Sequence, residues 1–145
     1  MAILNINVKR FNDRAHLPKY QTAGAAAADL VAVRVLKNGL FKVWYDCEIA
    51  MSIPRGYVGL LFPRSSVSEK NITLANSVGV IDSDYRGSFQ VRFNRTFWGI
   101  FKRKQYKVGE RCAQLMIVKL PKVTYTDVKA LDETTRGTGG FGSTK

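Results

Sequence analysis

Apolar and polar residues alternate along short stretches of this chain, and this alternation restricts its fold more than any other feature. Residues 4–8 read Leu-Asn-Ile-Asn-Val and residues 89–93 read Phe-Gln-Val-Arg-Phe. A period of two places the apolar side chains on one face of a β-strand. Turn sequences such as Asn38-Gly39 separate further strand-like runs at 30–36, 40–45, 49–53, 57–62, 114–120 and 123–128. This pattern predicts an all-β barrel or sandwich of jelly-roll type. Of these we expect a jelly-roll-like, distorted β-barrel.

Signals for helices are scarce. The sequence Ser66-Val67-Ser68-Glu69 fits a capping box, in which a serine hydroxyl and a glutamate three residues later bond to exposed backbone N–H groups. We therefore expect one short helix beside Arg64. The length of 145 residues suits a single domain. We assign residues 1–135 to the barrel and residues 136–145, which are rich in glycine, to a flexible C-terminal tail of the same domain.

The composition is strongly basic, with 23 Lys and Arg residues against 11 Asp and Glu and a formal net charge of +12. Such a charge is typical of proteins that bind phosphates, in nucleotides or in nucleic acids. No apolar run approaches the roughly 20 residues that span a bilayer. The start of the chain lacks the features of a secretory signal, and two cysteines form no disulfide framework. We expect a cytoplasmic protein without a membrane segment.

The most polar turn between two apolar stretches is Gly79-Val-Ile-Asp-Ser-Asp-Tyr-Arg-Gly87. One interpretation is that Asp82 activates a water molecule while Tyr85 packs against a flat or furanose ligand. The alternative is an ordinary turn in which aspartate side chains bond to the local backbone. Residue types alone leave both interpretations open.

Three other stretches contain groups suited to phosphate or metal. Pro63-Arg64-Ser65-Ser66 combines a guanidinium with two hydroxyls, and Gln114 lies at the start of an apolar strand. Asp29 becomes a candidate for Mg²⁺ only if phosphates are bound, because Mg²⁺ typically uses one or two carboxylates together with water and phosphate oxygens. Plain structural roles remain open for each of these residues.

The tail Arg136-Gly-Thr-Gly-Gly-Phe-Gly-Ser-Thr144 resembles a glycine-rich phosphate loop. Its glycines permit close approach of the backbone to a ligand, and Phe141 offers a ring that stacks on a base. A flexible linker is the alternative.

The order of these stretches is more informative than any one of them. Ala-Asp-Leu, Pro-Arg-Ser, Gly-Val-Ile-Asp-Ser-Asp-Tyr-Arg-Gly, Gly-Glu-Arg-Cys-Ala-Gln-Leu and Arg-Gly-Thr-Gly-Gly-Phe-Gly-Ser-Thr follow one another between residues 28 and 144. Together they resemble the five motifs of the trimeric deoxyuridine triphosphatase (dUTPase) family. The resemblance implies a jelly-roll-like homotrimer with three shared active sites, which hydrolyses dUTP to dUMP and pyrophosphate with Mg²⁺.

The resemblance also implies roles for individual residues. Asp82 matches the base that activates water, Tyr85 the ring against deoxyribose, and Asp29 the water-mediated partner of Mg²⁺. The matched substrate-binding positions are Arg64, Ser65, Ser66 and Gln114 for phosphate, Asn76, Gly79 and Ile81 for the uracil hairpin, and Arg136, Phe141, Gly142, Ser143 and Thr144 for the tail, where Phe141 covers uracil.

Two alternatives to dUTP hydrolysis remain. One is a dCTP deaminase of the same fold. The other is a regulatory or nucleic-acid-binding protein that uses the segment 94–104, because residues 92–107 interleave aromatic and basic side chains and fit a nucleic acid or an acidic protein partner. For this segment we favour a long hairpin whose aromatic residues pack on the barrel or on a neighbouring subunit.

Overall fold

The computed structural model describes residues 3–140. Within this range the chain forms ten strands, one 3₁₀-helix at Ser65–Glu69 and one α-helix, α1, at Phe97–Lys102. The strands are β1 (Asn7–Arg10), β2 (Ala28–Val31), β3 (Arg34–Asn38), β4 (Lys42–Asp46), β5 (Ile49–Ser52), β6 (Tyr57–Pro63), β7 (Ile72–Leu74), β8 (Gly79–Ile81), β9 (Gln90–Arg95) and β10 (Arg111–Lys119).

Two four-stranded antiparallel sheets make up most of the fold, in the orders β2-β10-β6-β8 and β3-β4-β9-β7, and β1 pairs with β5. Apolar side chains of both large sheets are buried in one hydrophobic core. The expected all-β, jelly-roll-like fold is confirmed, although the sheets do not close into a continuous barrel.

Three aromatic rings at the centre of the core fix the segment that leads into β10. Tyr45 contacts Phe93 and Tyr106 edge to face, with centroids 6.0 and 6.4 Å apart. The buried hydroxyl of Tyr45 donates a hydrogen bond of 2.7 Å to the carbonyl oxygen of Tyr106. These contacts hold Tyr106 beside the 3₁₀-helix, where its own hydroxyl faces the candidate site.

The expected strand at residues 123–128 is wrong. This stretch is irregular in the structure, and Val123 and Tyr125 are exposed. An alternating pattern places apolar side chains on one face, but a strand also needs a neighbouring strand for its backbone hydrogen bonds. In the described part of the chain, this stretch pairs with no strand.

The short helix is present, but the capping box is not formed. The N-cap residue is Arg64, and it makes no side-chain capping bond. The Ser66 hydroxyl lies instead 3.1 Å from the hydroxyl of Tyr106. A tertiary contact has replaced the local cap.

The aromatic segment after β9 forms α1 rather than the expected long hairpin. Thr96 caps the helix by accepting a hydrogen bond from the Gly99 N–H, and Arg103 ends it with φ of 44°. Phe97, Trp98 and Phe101 are 68%, 62% and 69% exposed, so the expected packing of these rings on the barrel is wrong. No helix among residues 3–140 is long and apolar enough to span a membrane.

Candidate active site

A buried carboxylate organises the first part of the candidate site. Asp29 Oδ1 accepts a hydrogen bond of 2.8 Å from Arg64 Nε, and Asp29 Oδ2 accepts one of 3.0 Å from Arg111 Nη1. Strand pairing causes this proximity, since β10 lies between β2 and β6 and Gln114 pairs with both Asp29 and Phe62. The carboxylate therefore fixes two guanidinium groups at one edge of the sheet.

The two arginines open onto a cleft of about 300 Å³, which we call the cationic cleft. The Ser66 hydroxyl accepts a hydrogen bond of 3.3 Å from Arg64 Nη1, and Ser65 is exposed at the start of the 3₁₀-helix. The lining is Arg64, Ser66, Lys70, Tyr106, Gly109, Glu110 and Arg111. Three cations face one carboxylate there, so the cleft suits an anion.

Several lining residues were not predicted as site residues. Lys70 Nζ lies 3.2 Å from Glu110 Oε2 and 5.0 Å from the centroid of the Tyr106 ring. A hydrogen bond from the backbone N–H of Lys107 is the main cause that lowers the pKa of Glu110, while burial raises the pKa of the Tyr106 hydroxyl. Glu110 and Arg111 belong to the Gly-Glu-Arg-Cys-Ala-Gln-Leu motif, whereas no sequence signal marks Lys70 or Tyr106.

Gln114 lies at the inner end of this group. Its side-chain amide donates a hydrogen bond of 2.9 Å to the carbonyl oxygen of Pro63. This bond leaves the side-chain oxygen as the acceptor that a water molecule or a protonated phosphate can use.

A second concavity, of about 370 Å³, lies along the segment expected to form the uracil hairpin, and we call it the hairpin cavity. β7 and β8 pair with β9 and β6, respectively, rather than with each other. Asn76, Gly79 and Ile81 line it together with Gln90 and Arg92. A Cβ at Gly79 would lie only 3.1 Å from the Leu61 Cβ, so this position favours glycine. The three residues expected at a uracil site therefore line one cavity.

The turn after β8 presents Asp82. The Tyr85 N–H donates to the Asp82 carbonyl oxygen at 3.2 Å, and the Tyr85 hydroxyl donates to the carbonyl oxygen of Ser88 at 3.0 Å. The Tyr85 ring also lies 6.3 Å from the Phe89 ring, measured between centroids. Asp82 is exposed, and Tyr85 is held in place with 42% of its surface accessible.

Within one chain, Asp82 is remote from the cationic cleft. Asp82 follows Ile81, which pairs with Gly59, whereas Arg64 lies five residues beyond Gly59 along β6. Five residues of strand span about 17 Å. The cationic cleft and the hairpin cavity also share no lining residue. The chain thus carries the two halves of the candidate site on separate surfaces.

The described part of the tail makes only local hydrogen bonds. Arg136 Nε donates to the carbonyl oxygen of Gly139 at 2.9 Å, and Arg136 is exposed. Phe141, Gly142, Ser143 and Thr144 lie outside the described residues.

Among residues 3–140, no three His, Cys, Asp or Glu side chains come close enough to form a metal cage. Asp29 has an arginine on each oxygen, but each carboxylate oxygen offers more than one lone pair. The donor set therefore fits a Mg²⁺ ion held mainly by ligand oxygens and water, with Asp29 bonded to that water.

Comparison with known proteins agrees with this geometry. A family model described as dUTPase matches residues 13–145. The deoxyuridine 5′-triphosphate nucleotidohydrolase of Hydrogenobaculum sp. (strain Y04AAS1) is 38% identical, covering 97% of this chain and 98% of that protein. The enzyme of the same name from Rickettsia prowazekii is 36% identical, covering 99% of each.

Among solved structures, the Staphylococcus bacteriophage 80alpha dUTPase with dUPNHPP superposes with a TM-score of 0.81 at 26% identity, covering 97% of this chain and 98% of that one. The motif order, the fold, the clustered arginines and these matches lead to one conclusion: the chain belongs to the dUTPase family.

Proposed function

We propose that this protein hydrolyses dUTP to dUMP and pyrophosphate through attack of water on the α-phosphorus. The reaction removes dUTP from the pool of DNA precursors and supplies dUMP for thymidylate synthesis. The observation that carries the proposal is the Asp29–Arg64–Arg111 group, which fixes two cations beside serine hydroxyls in a family whose relatives are named for this activity.

The cationic cleft supplies the phosphate site. Attack on phosphorus spreads negative charge over the phosphate oxygens, so fixed cations and hydroxyl donors lower the barrier. Arg64 and Arg111 are held in place by Asp29, so little reorganisation is needed when a phosphate binds. Ser65 and Ser66 add hydroxyl donors, and Gln114 orients a phosphate oxygen or water.

The hairpin cavity supplies the base site. Asn76 and the backbone at Gly79 and Ile81 face the concavity, where they bond to the polar edge of uracil. The Tyr85 ring packs against deoxyribose, where a ribose 2′-hydroxyl would clash. Asp82, at the exposed turn, accepts a proton from the attacking water.

The separation of the two halves favours active sites shared between subunits. A residue about 17 Å along the strand from Arg64 cannot act on the same phosphorus. The Asp82 of one subunit must therefore face the cationic cleft of another. We propose a homotrimer in which a third chain contributes Arg136, Phe141, Gly142, Ser143 and Thr144.

We propose Mg²⁺ as the cofactor. Asp29 would accept hydrogen bonds from water molecules bound to Mg²⁺, and triphosphate oxygens would bind the ion directly. When bound, the ion neutralises part of the phosphate charge. The chain's own contribution remains the placement of Asp29, Arg64 and Arg111.

Pyrophosphate release from dUTP tests the activity, with dTTP, dCTP and UTP as competing substrates. We expect turnover on dUTP alone, and a loss of at least about 100-fold for Asp82→Asn, the scale of a lost general base. Asp84→Asn is the matched control, because Asp84 is an exposed acid of the same turn. Near-normal turnover by Asp82→Asn refutes the assignment of the base. Release of ammonia from dCTP would favour a deaminase instead.

Mixing two inactive variants tests the shared site. We expect Asp82→Asn and Arg64→Ala each to be inactive alone, and the two variants are unfolded and refolded together. If each site draws these residues from different chains, random trimers regain about a quarter of wild-type activity. Sites contained within one chain would stay inactive in every mixed trimer.

A further inference from the structure

One prominent surface takes no part in the proposed catalysis. Phe97, Trp98 and Phe101 of α1 are each more than three-fifths exposed. The Phe97 ring contacts Trp98 and Phe101 edge to face, with centroids 5.7 and 5.4 Å apart. Lys102 Nζ lies 5.8 Å from the centroid of the Trp98 ring. An exposed cluster of large rings beside a cation is typical of a binding surface.

A second ring-and-cation group lies on the adjoining sheet. Lys37, Trp44 and Arg92 occupy one row across β3, β4 and β9. Lys37 Nζ and Arg92 Cζ lie 4.8 and 4.4 Å from the centroid of the Trp44 ring. Arg92 is separated from Phe97 by four residues, so the row and the start of α1 lie within about 17 Å of each other along the chain.

We define the aromatic-basic face as Lys37, Trp44, Arg92, Trp98, Phe101 and Lys102. All charged residues of this face are basic. Residues 92–107 contain six Lys and Arg residues and no acidic residue. The nearby Glu69 lies 3.7 Å from Lys104, both on exposed side chains. The complement of this face is therefore an anion with many charges.

We propose that the aromatic-basic face binds single-stranded nucleic acid. The face combines aromatic rings with cations, and a single strand presents both unpaired bases and phosphates. Unpaired bases stack on aromatic side chains while the backbone contacts Lys and Arg. An acidic peptide matches the charge but has few flat groups for the rings, and a duplex keeps its bases stacked internally.

The part of this face on α1 is separate from the surfaces assigned to dUTP hydrolysis. None of the α1 residues lines the cationic cleft or the hairpin cavity. Arg92 does line the hairpin cavity, so we leave it unchanged in the test. Variants in α1 should keep the turnover of the wild type, which separates failure of this inference from failure of the proposed function.

Fluorescence anisotropy of a 5′-fluorescein-labelled dT20 strand provides the test, at 50, 100 and 200 mM NaCl with the full chain. We expect Trp98→Ala and Phe101→Ala each to weaken binding about tenfold, the scale of one unstacked base. Lys102→Gln with Lys104→Gln should lower the slope of log K against log salt by about 0.7 for each phosphate that these lysines neutralise in the wild type.

Control variants distinguish binding by the aromatic-basic face from a general effect of the protein's net charge. Lys119→Gln with Lys122→Gln removes the same two charges from exposed positions away from α1, and it should bind dT20 almost as the wild type does. Trp98→Tyr keeps a ring and should retain most of the affinity. An excess of dUMP should not displace dT20.

Three results would overturn the proposal: no dT20 binding by the wild type, an equal decrease in affinity for the Lys102 and Lys104 pair and for the control lysine pair, or displacement by dUMP. A polyglutamate 20-mer and vesicles with anionic lipid are tested in parallel. Tighter binding of either one that depends on Trp98 would assign the face to an acidic protein or to a membrane surface instead.

Discussion

Gly99 provides a sensitive test of how α1 is attached to the sheet. A Cβ at this position would lie 2.1 Å from the backbone oxygen of Asn71, and real Cβ atoms almost never approach within 3.0 Å. In Gly99→Ala, the helix and this carbonyl must therefore separate by about 1 Å. That oxygen also accepts hydrogen bonds from Thr96, from its N–H at 3.1 Å and its hydroxyl at 3.0 Å.

The expected cost follows from these contacts. Losing two hydrogen bonds costs about 1 kcal/mol each, and overpacking costs about 1–3 kcal/mol. The higher helix propensity of alanine offsets about 1 kcal/mol. We expect the free energy of unfolding to fall by about 2–4 kcal/mol, equivalent to a Tm lower by about 6–16 °C for a chain of this size.

Urea unfolding at a fixed protein concentration measures this change, because the stability of an oligomer depends on concentration. Gly24→Ala is the matched control, since a Cβ at Gly24 has nothing within 4 Å. Gly99→Ala should also weaken dT20 binding by displacing Trp98 while dUTP turnover continues. A Gly99→Ala protein as stable as Gly24→Ala would refute the described attachment of α1.

Three further predictions concern the tail, the core and the cationic cleft. A chain ending at Thr135 should keep its oligomeric state in light scattering but lose most pyrophosphate release, and full activity would refute a role for the tail. Tyr45→Phe should lower the free energy of unfolding by about 1–2 kcal/mol in urea, because the Tyr106 carbonyl loses its donor. Burial raises the pKa of the Tyr45 hydroxyl well above 10, so the unfolded chain loses this proton at a lower pH than the folded chain does. The free energy of unfolding of the wild type should therefore fall above pH 10 by up to about 1.4 kcal/mol per pH unit. Tyr45→Phe should show a smaller fall, and an equal dependence on pH in the two proteins would contradict a role of Tyr45 ionisation. Asp29→Asn should destabilise the protein by about 1–3 kcal/mol, because two partly exposed arginines lose their hydrogen bonds to a shared carboxylate, and unchanged stability would show that the ion pairs contribute nothing.

The sequence allowed most of the sheet to be predicted because the core strands combine alternation with clear turns. It failed where the deciding contact is distant along the chain. The Ser66 hydroxyl fits a cap by its spacing, yet Tyr106, 40 residues away, determines its bonding. The run 123–128 alternates properly but has no neighbouring strand within the described chain.

The candidate site was likewise predicted only where its residues belong to sequence motifs. Asp29 and Arg64 were predicted through their motifs, and the structure joins them through strand pairing. Lys70 and Tyr106 belong to no motif, because their role depends on where the segment before β10 packs. Whether Asp82 acts with Arg64 depends on contacts between chains, which neither residue's local sequence encodes.

The excess of positive charge serves two surfaces with different exposure. In the cationic cleft, Arg64 is held by a buried carboxylate and its side chain is only 22% exposed. On the aromatic-basic face, the lysines and Arg92 project into solvent. Salt screens exposed charges far more than partly buried ones. Raising the salt concentration should therefore release a nucleic-acid strand from the face before it impairs the contacts that Arg64 makes with a bound triphosphate.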